Sequence, residues 1–146
     1  MGLILLWAGV MGQSTEQLVA QYFSSFNHAD WDGMLALMSK DVIHDLNESN
    51  RQVGLEAFTA QLNANKQSFL EVISDIETDV PNPSRAIAAY TISGQYLATA
   101  PGMPTARGQR YRVAGKSIFD IRDGKITRII SEFDEASRRK QREADS

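Results

Sequence analysis

From Leu70 onward the apolar residues recur at every second position, whereas before it they recur every three or four, and this change of period constrains the chain more than any other feature. A period of two belongs to strands with one buried face, and a period near 3.6 to helices with one buried stripe. Helices collected in one half and hairpin-linked strands in the other predict an α+β domain, with three N-terminal helices packed on a strongly curved, mostly antiparallel sheet. Such a sheet has a mouth at one end, where small-molecule sites tend to lie.

The helical half begins with a capping box, Ser14 followed by Gln17. Leu18, Val19, Tyr22, Phe23 and Phe26 then predict a helix from about Thr15 to His28. Asp30 caps a second, short helix that carries Trp31, Met34, Leu35 and Met38 on one side and ends near Lys40. Asp41 to Leu46 reads as a strand, Asn47 to Asn50 as a turn, and Gly54 opens a third helix with Leu55, Phe58 and Leu62 facing inwards.

In the second half, Leu70, Val72, Ile76 and Val80 form the expected buried face of a strand, with Glu71, Asp75, Glu77 and Asp79 outside. Pro81 to Ser84 turns the chain into a strand from Ala86 to Thr99, bulged at Gly94. After a loop at Ala100 to Pro104, Tyr111 to Ile121 is a strand with Val113, Ser117, Phe119 and Ile121 on one face. Asp123-Gly124 then closes a hairpin into Ile126 to Phe133. The chain thus divides into an apolar extension (1–13), one domain (14–135) and a charged tail (136–146) read as a frayed helical end. The extension, with its run Leu3 to Val10, is too short to span a bilayer and lacks a basic n-region, so a signal peptide is a weaker reading than a cytoplasmic protein with an added segment or a start at Met11.

Charge and composition remove whole classes of function. A net charge of -3 argues against nucleic acid as the partner. With no cysteine there is no thiol nucleophile or cysteine-based zinc site, and His28 and His44 make no ligand spacing, so neither a metal nor a cofactor is expected. A small apolar ligand is the expected partner, without a membrane.

Asp45 shares a strand side with Ile43, taken as the inner side, where desolvation would raise its pKa into the range of a general base. The plainer reading makes it an Asx cap of the turn beside Asn47. Tyr22 sits within the apolar stripe of the first helix, so its hydroxyl either points into the pocket or is a satisfied core group. His44 is expected on the side opposite Asp45.

Ala20-Gln21-Tyr22-Phe23, Asn27-His28-Ala29-Asp30 and Asp41-Val42-Ile43-His44-Asp45, with Arg51 and Gly54 following, resemble the opening of the ketosteroid isomerases and SnoaL-like polyketide cyclases. The run Gly115 to Ile126 is similar to the last hairpin of that nuclear transport factor 2-like superfamily. The resemblance implies a cone-like α+β barrel that pairs as a homodimer. It places Asp45 at a proton-shuttling aspartate, Tyr22 at an oxyanion-binding tyrosine and Phe133 at a pocket aromatic on the strand face of Ile129 and Ser131. Ser117 falls where the isomerase has a protonated aspartic acid, a stronger donor than a serine hydroxyl. Phe26, Phe58 and Phe119, with Phe133 and Ile129, complete the expected apolar wall. The implied activity is cofactor-independent proton transfer on an enolisable carbonyl compound, with Asp45 as base and Tyr22 and Ser117 stabilising the enolate. The alternatives are a non-catalytic carrier of an apolar ligand and a structural dimerisation domain.

Overall fold

The computed structural model describes residues 14–144, so the readings for the apolar extension and for the last two residues fall outside the described residues. Helix α1 (Thr15–Asn27) starts at the capping box: the Ser14 hydroxyl accepts from the Gln17 amide and the Gln17 side chain accepts from the Ser14 amide. Helix α2 (Trp31–Leu35) is capped by Asp30, whose carboxylate accepts from the Gly33 amide. Strand β1 (Met38–Leu46) and the short β2 (Asn50–Val53) precede α3 (Leu55–Ser68). Strands β3 (Phe69–Asn82), β4 (Arg85–Tyr96), β5 (Gln109–Arg122) and β6 (Lys125–Phe133) follow, and α4 (Glu135–Ala144) closes the described chain.

The strands form one six-stranded sheet in the order β2-β1-β6-β5-β4-β3, antiparallel except for β1 beside β6. The core between helices and sheet holds Val19, Phe23, Met34, Val42, Phe58, Phe119, Ile126 and Ile129. Strand β3 lies at the edge of the sheet. Part of that edge is closed by Asn27, whose side-chain amide donates to the Ile73 carbonyl and accepts from the Ile73 amide, both at 2.8 Å, as a neighbouring strand would.

Five expectations about local structure are corrected. Helix α2 ends at Leu35 rather than near Lys40, because Met38 already pairs with Ile126 and the Leu37 carbonyl accepts from the Ile126 amide; sheet pairing overrides helical spacing. Strand β2 is an addition: only its first residue, Asn50, falls within the expected turn, and three polar residues with an exposed Val53 show no buried face. Gly94 is no bulge: the β4 ladders run through it unbroken, and a Cβ there would meet the Tyr111 ring at 2.2 Å, so glycine makes room for that ring. The bulge lies instead in β3 between Ser74 and Glu77, where Asp75 adopts a φ of 53°.

That bulge has a consequence for facing. One extra residue exchanges the two faces, so Val80 packs inward as expected while Leu70, Val72 and Ile76 are exposed, against expectation, and Glu71 and Ile73 turn inward. The fifth correction concerns the tail. It is a docked helix rather than a frayed end, with Arg138 and Arg142 buried and Gln141 both accepting from the Arg112 amide and donating to the Arg112 carbonyl.

Candidate functional site

Helices α1, α2 and α3 and the inward faces of β1, β3, β4, β5 and β6 line a cavity of about 190 Å³, and α4 reaches it through Arg138. Phe23, Phe26, Phe58 and Phe133 give it an apolar wall. Of the residues expected at the site, Tyr22, Ser117, Phe26, Phe58 and Phe133 come together here. Phe119 and Ile129 do not line it; both are fully buried in the core beneath, with the Phe119 ring 5.1 Å from that of Tyr22.

Asp45 is elsewhere. It does share a side with Ile43, but that side is the outer one, because Val42, His44 and Leu46 are the β1 residues that turn to the core and cavity. On the outer face its carboxylate accepts from Arg51 Nε at 2.5 Å and from Arg128 Nη2 at 2.7 Å. The Arg51 hydrogen bond foremost, then Arg128, draws its pKa down from 3.8 to about 2 against an opposing desolvation. A carboxylate so held is a poor proton acceptor, and it has no access to the cavity. The expectation that Asp45 is a desolvated base with a raised pKa is therefore corrected.

His44 takes the place expected for its neighbour. Its ring lines the cavity, 5.2 Å from Phe58, and its buried Nδ1 has no hydrogen-bond partner among the described residues. Burial lowers its pKa below 6.5, only partly offset by the nearby Asp45 charge, which favours the neutral imidazole.

Three hydroxyls form a chain in the same cavity. Ser117 Oγ lies 2.6 Å from Tyr90 Oη and 3.0 Å from Ser131 Oγ, so protons can be arranged along the set to serve a ligand oxygen. The Tyr22 phenol lines the cavity too, and burial raises its pKa, keeping it a donor at neutral pH.

A second polar group sits where α4 meets β3. Glu71 accepts from Tyr111 Oη at 2.5 Å, from Asn65 Nδ2 at 3.3 Å and from Arg138 Nη1 at 3.4 Å. Desolvation, then the Glu71 charge, raises the Tyr111 pKa, so the phenol keeps its proton and stays a donor. Arg138 also pairs with Glu135 at 2.7 Å, and its guanidinium lies 4.5 Å from the Phe69 ring and 4.8 Å from that of Phe133.

Sequence reasoning missed Glu71, Arg138, Tyr90 and His44 as cavity residues. For Arg138 a signal existed, since Glu135 with Arg138 and Arg139 with Glu143 are spaced as ion pairs along a helix. Glu71 had none, because only the bulge reverses the alternation around it.

No triad or larger group of histidine, cysteine or acidic side chains fit to hold a metal occurs among the described residues. Nor is any described helix long and apolar enough to cross a membrane.

Residues 19–129 match the model of the SnoaL-like domain family. A putative polyketide cyclase from Silicibacter sp. TM1040 is 41% identical, with a TM-score of 0.84 over 89% of this chain and 96% of that one. A putative polyketide cyclase from Xanthomonas campestris pv. campestris is 38% identical, with a TM-score of 0.85 over 87% of this chain and 95% of that one. An NTF2-like protein of Burkholderia pseudomallei K96243, 14% identical over 89% and 98% of the two chains at a TM-score of 0.76, shares the fold. No curated protein matches the chain.

Proposed function

The chain belongs to the SnoaL-like domain family, and on that premise we propose that it is a small-molecule enzyme, isomerase- or cyclase-like, that moves a proton on an enolisable carbonyl compound without a cofactor. The observation that carries this reading is the place of the His44 imidazole, which lines an apolar cavity together with the protonated phenols of Tyr22 and Tyr90. A neutral imidazole removes an α-proton at neutral pH, which the doubly ion-paired Asp45 cannot do from the outer face. The electrons of the C–H bond move onto the carbonyl oxygen, where Tyr22, with the Tyr90–Ser117 pair, donates to the developing enolate.

Return of the proton to another carbon completes an isomerisation. Attack of the enolate carbon on a second carbonyl of the same molecule, whose oxygen then takes the proton, completes a cyclisation. Glu71 is the weaker candidate for the base, because three donors already engage its carboxylate.

Exchange of α-protons of methyl ketones into D2O, followed by proton NMR, tests the proposal. His44→Gln is expected to lower the rate ~10²-fold or more while Asp45→Asn retains it. Equal rates for His44→Gln and the original protein would end the assignment. The position of Asp45 outside the cavity favours a second reading, a carrier that binds apolar ligands and turns nothing over; ketone binding with no exchange in the unaltered protein would select it.

The same premise supports a homodimer. Ile87, Ile118 and Ile130 are cross-strand neighbours on the outer face, partly exposed and in register, a surface that a second copy would cover. Light scattering that finds monomer alone would refute this.

A further inference from the structure

The cavity borders a second space at Glu71. Beyond it an open groove of about 410 Å³ runs over the edge strand β3, and the two spaces share Phe26, Leu62, Asn65 and Glu71 as common walls. Trp31, Leu70, Val72 and Lys66 line the groove alone. Leu70 is 60% and Val72 48% exposed, so this apolar surface faces solvent.

Between the two spaces stands the hydrogen bond from Asn65 to Glu71, which at 3.3 Å is long and weak. Glu71 is held independently by Tyr111, so the Asn65 side chain can turn away without leaving the carboxylate unpartnered. The inner cavity alone falls short of the ~300–1,000 Å³ usual for small-molecule sites, whereas cavity and groove together fall within it.

We propose that Asn65 and Glu71 form a gate between the reaction cavity and an outer apolar subsite, and that the ligand is elongated, its carbonyl end inside and its apolar body in the groove on Leu70, Val72 and Trp31. The reading of the inner cavity as a ketone site enters through the choice of probe. Burial of each added methylene in the groove strengthens binding, whereas a ligand confined to the inner cavity gains nothing once that space is full.

The test titrates the full chain calorimetrically with straight-chain methyl ketones from 2-butanone to 2-decanone. Affinity is expected to rise ~3- to 4-fold per methylene across the longer members. Leu70→Asp, at an exposed position, is expected to leave 2-butanone binding unchanged and to weaken 2-decanone at least ~10-fold, since a charge replaces part of the apolar floor. Asn65→Ala is expected to strengthen the longer ketones alone.

A plateau in affinity after the first members would overturn the proposal, as would a Leu70→Asp loss equal for short and long ketones. The α-proton exchange of the same ketones separates this inference from the proposed reaction. A rising affinity series without exchange removes the reaction and keeps the subsite; exchange with a plateau keeps the reaction and removes the subsite.

Discussion

His44 and Asp45 are consecutive residues of β1, yet the sheet places them in opposite settings. Asp45 meets two guanidinium groups on the outer face and its pKa is drawn down to about 2, so it is satisfied, charged and chemically quiet. His44 faces an apolar cavity, lacks a partner on Nδ1, and is kept neutral by burial. The stronger ion pair marks the structural face, and the incompletely satisfied group marks the face with chemical potential. The Glu71–Arg138 group stands between these cases, ion-paired like Asp45 but turned inward like His44.

The largest expected effect lies at this intermediate group. Arg138→Ala removes a buried guanidinium from Glu71, Glu135 and three aromatic rings, and is expected to cost about 3 kcal/mol in urea denaturation. A change within a few tenths would mean that α4 does not dock as described.

Next comes the contrast between neighbours. His44→Gln is expected to abolish most α-proton exchange, ~10²-fold or more, at nearly unchanged stability, and Asp45→Asn to do the reverse. If both variants lost activity equally, the two faces would not be chemically distinct.

A smaller effect is the stability that Asp45 confers, about 1–2 kcal/mol after discounting for the exposure of both arginines. Its folded pKa is below its unfolded value of 3.8, so the folded state binds fewer protons in that range. The contribution is full above pH 3.8 and fades as pH falls towards about 2. The stability curves of Asp45→Asn and the original protein should therefore converge in acid; a constant gap down to pH 2 would contradict the pairing.

The smallest effect links the two residues directly. The Asp45 charge raises the His44 pKa against the larger effect of burial, so Asp45→Asn should move the acid limb of the exchange rate to lower pH. A shift to higher pH would mean that His44 does not sense that carboxylate.

Most elements were readable from residues close together in the chain. The Ser14–Gln17 box sets the start of α1, and the alternation of Val113, Ser117, Phe119 and Ile121 places their β5 face in the core, because capping and pleat act over a few residues. Tyr22, Ser117 and Phe133 reach the cavity for the same reason, each lying on an element whose apolar face is unambiguous.

The faces of β1 and β3 were not readable in this way. Alternation says that Asp45 opposes His44 and Glu71 opposes Leu70, but not which partner the helices cover. In β3 a single inserted residue between Ser74 and Glu77 reverses the answer along one strand. The burial of Arg138 likewise depends on Glu71, Phe69 and Tyr111, which are remote from it in sequence and come near it only when the sheet assembles.

What the sequence by itself determined is where helices and strands begin and which stripes are apolar, since those follow from short-range sterics and hydrogen bonding. Which side of β1 faces the cavity, and whether the basic C-terminus frays or docks on the sheet, only the tertiary structure decided. Desolvation and ion pairing depend on groups that the folded sheet alone brings within a few ångströms.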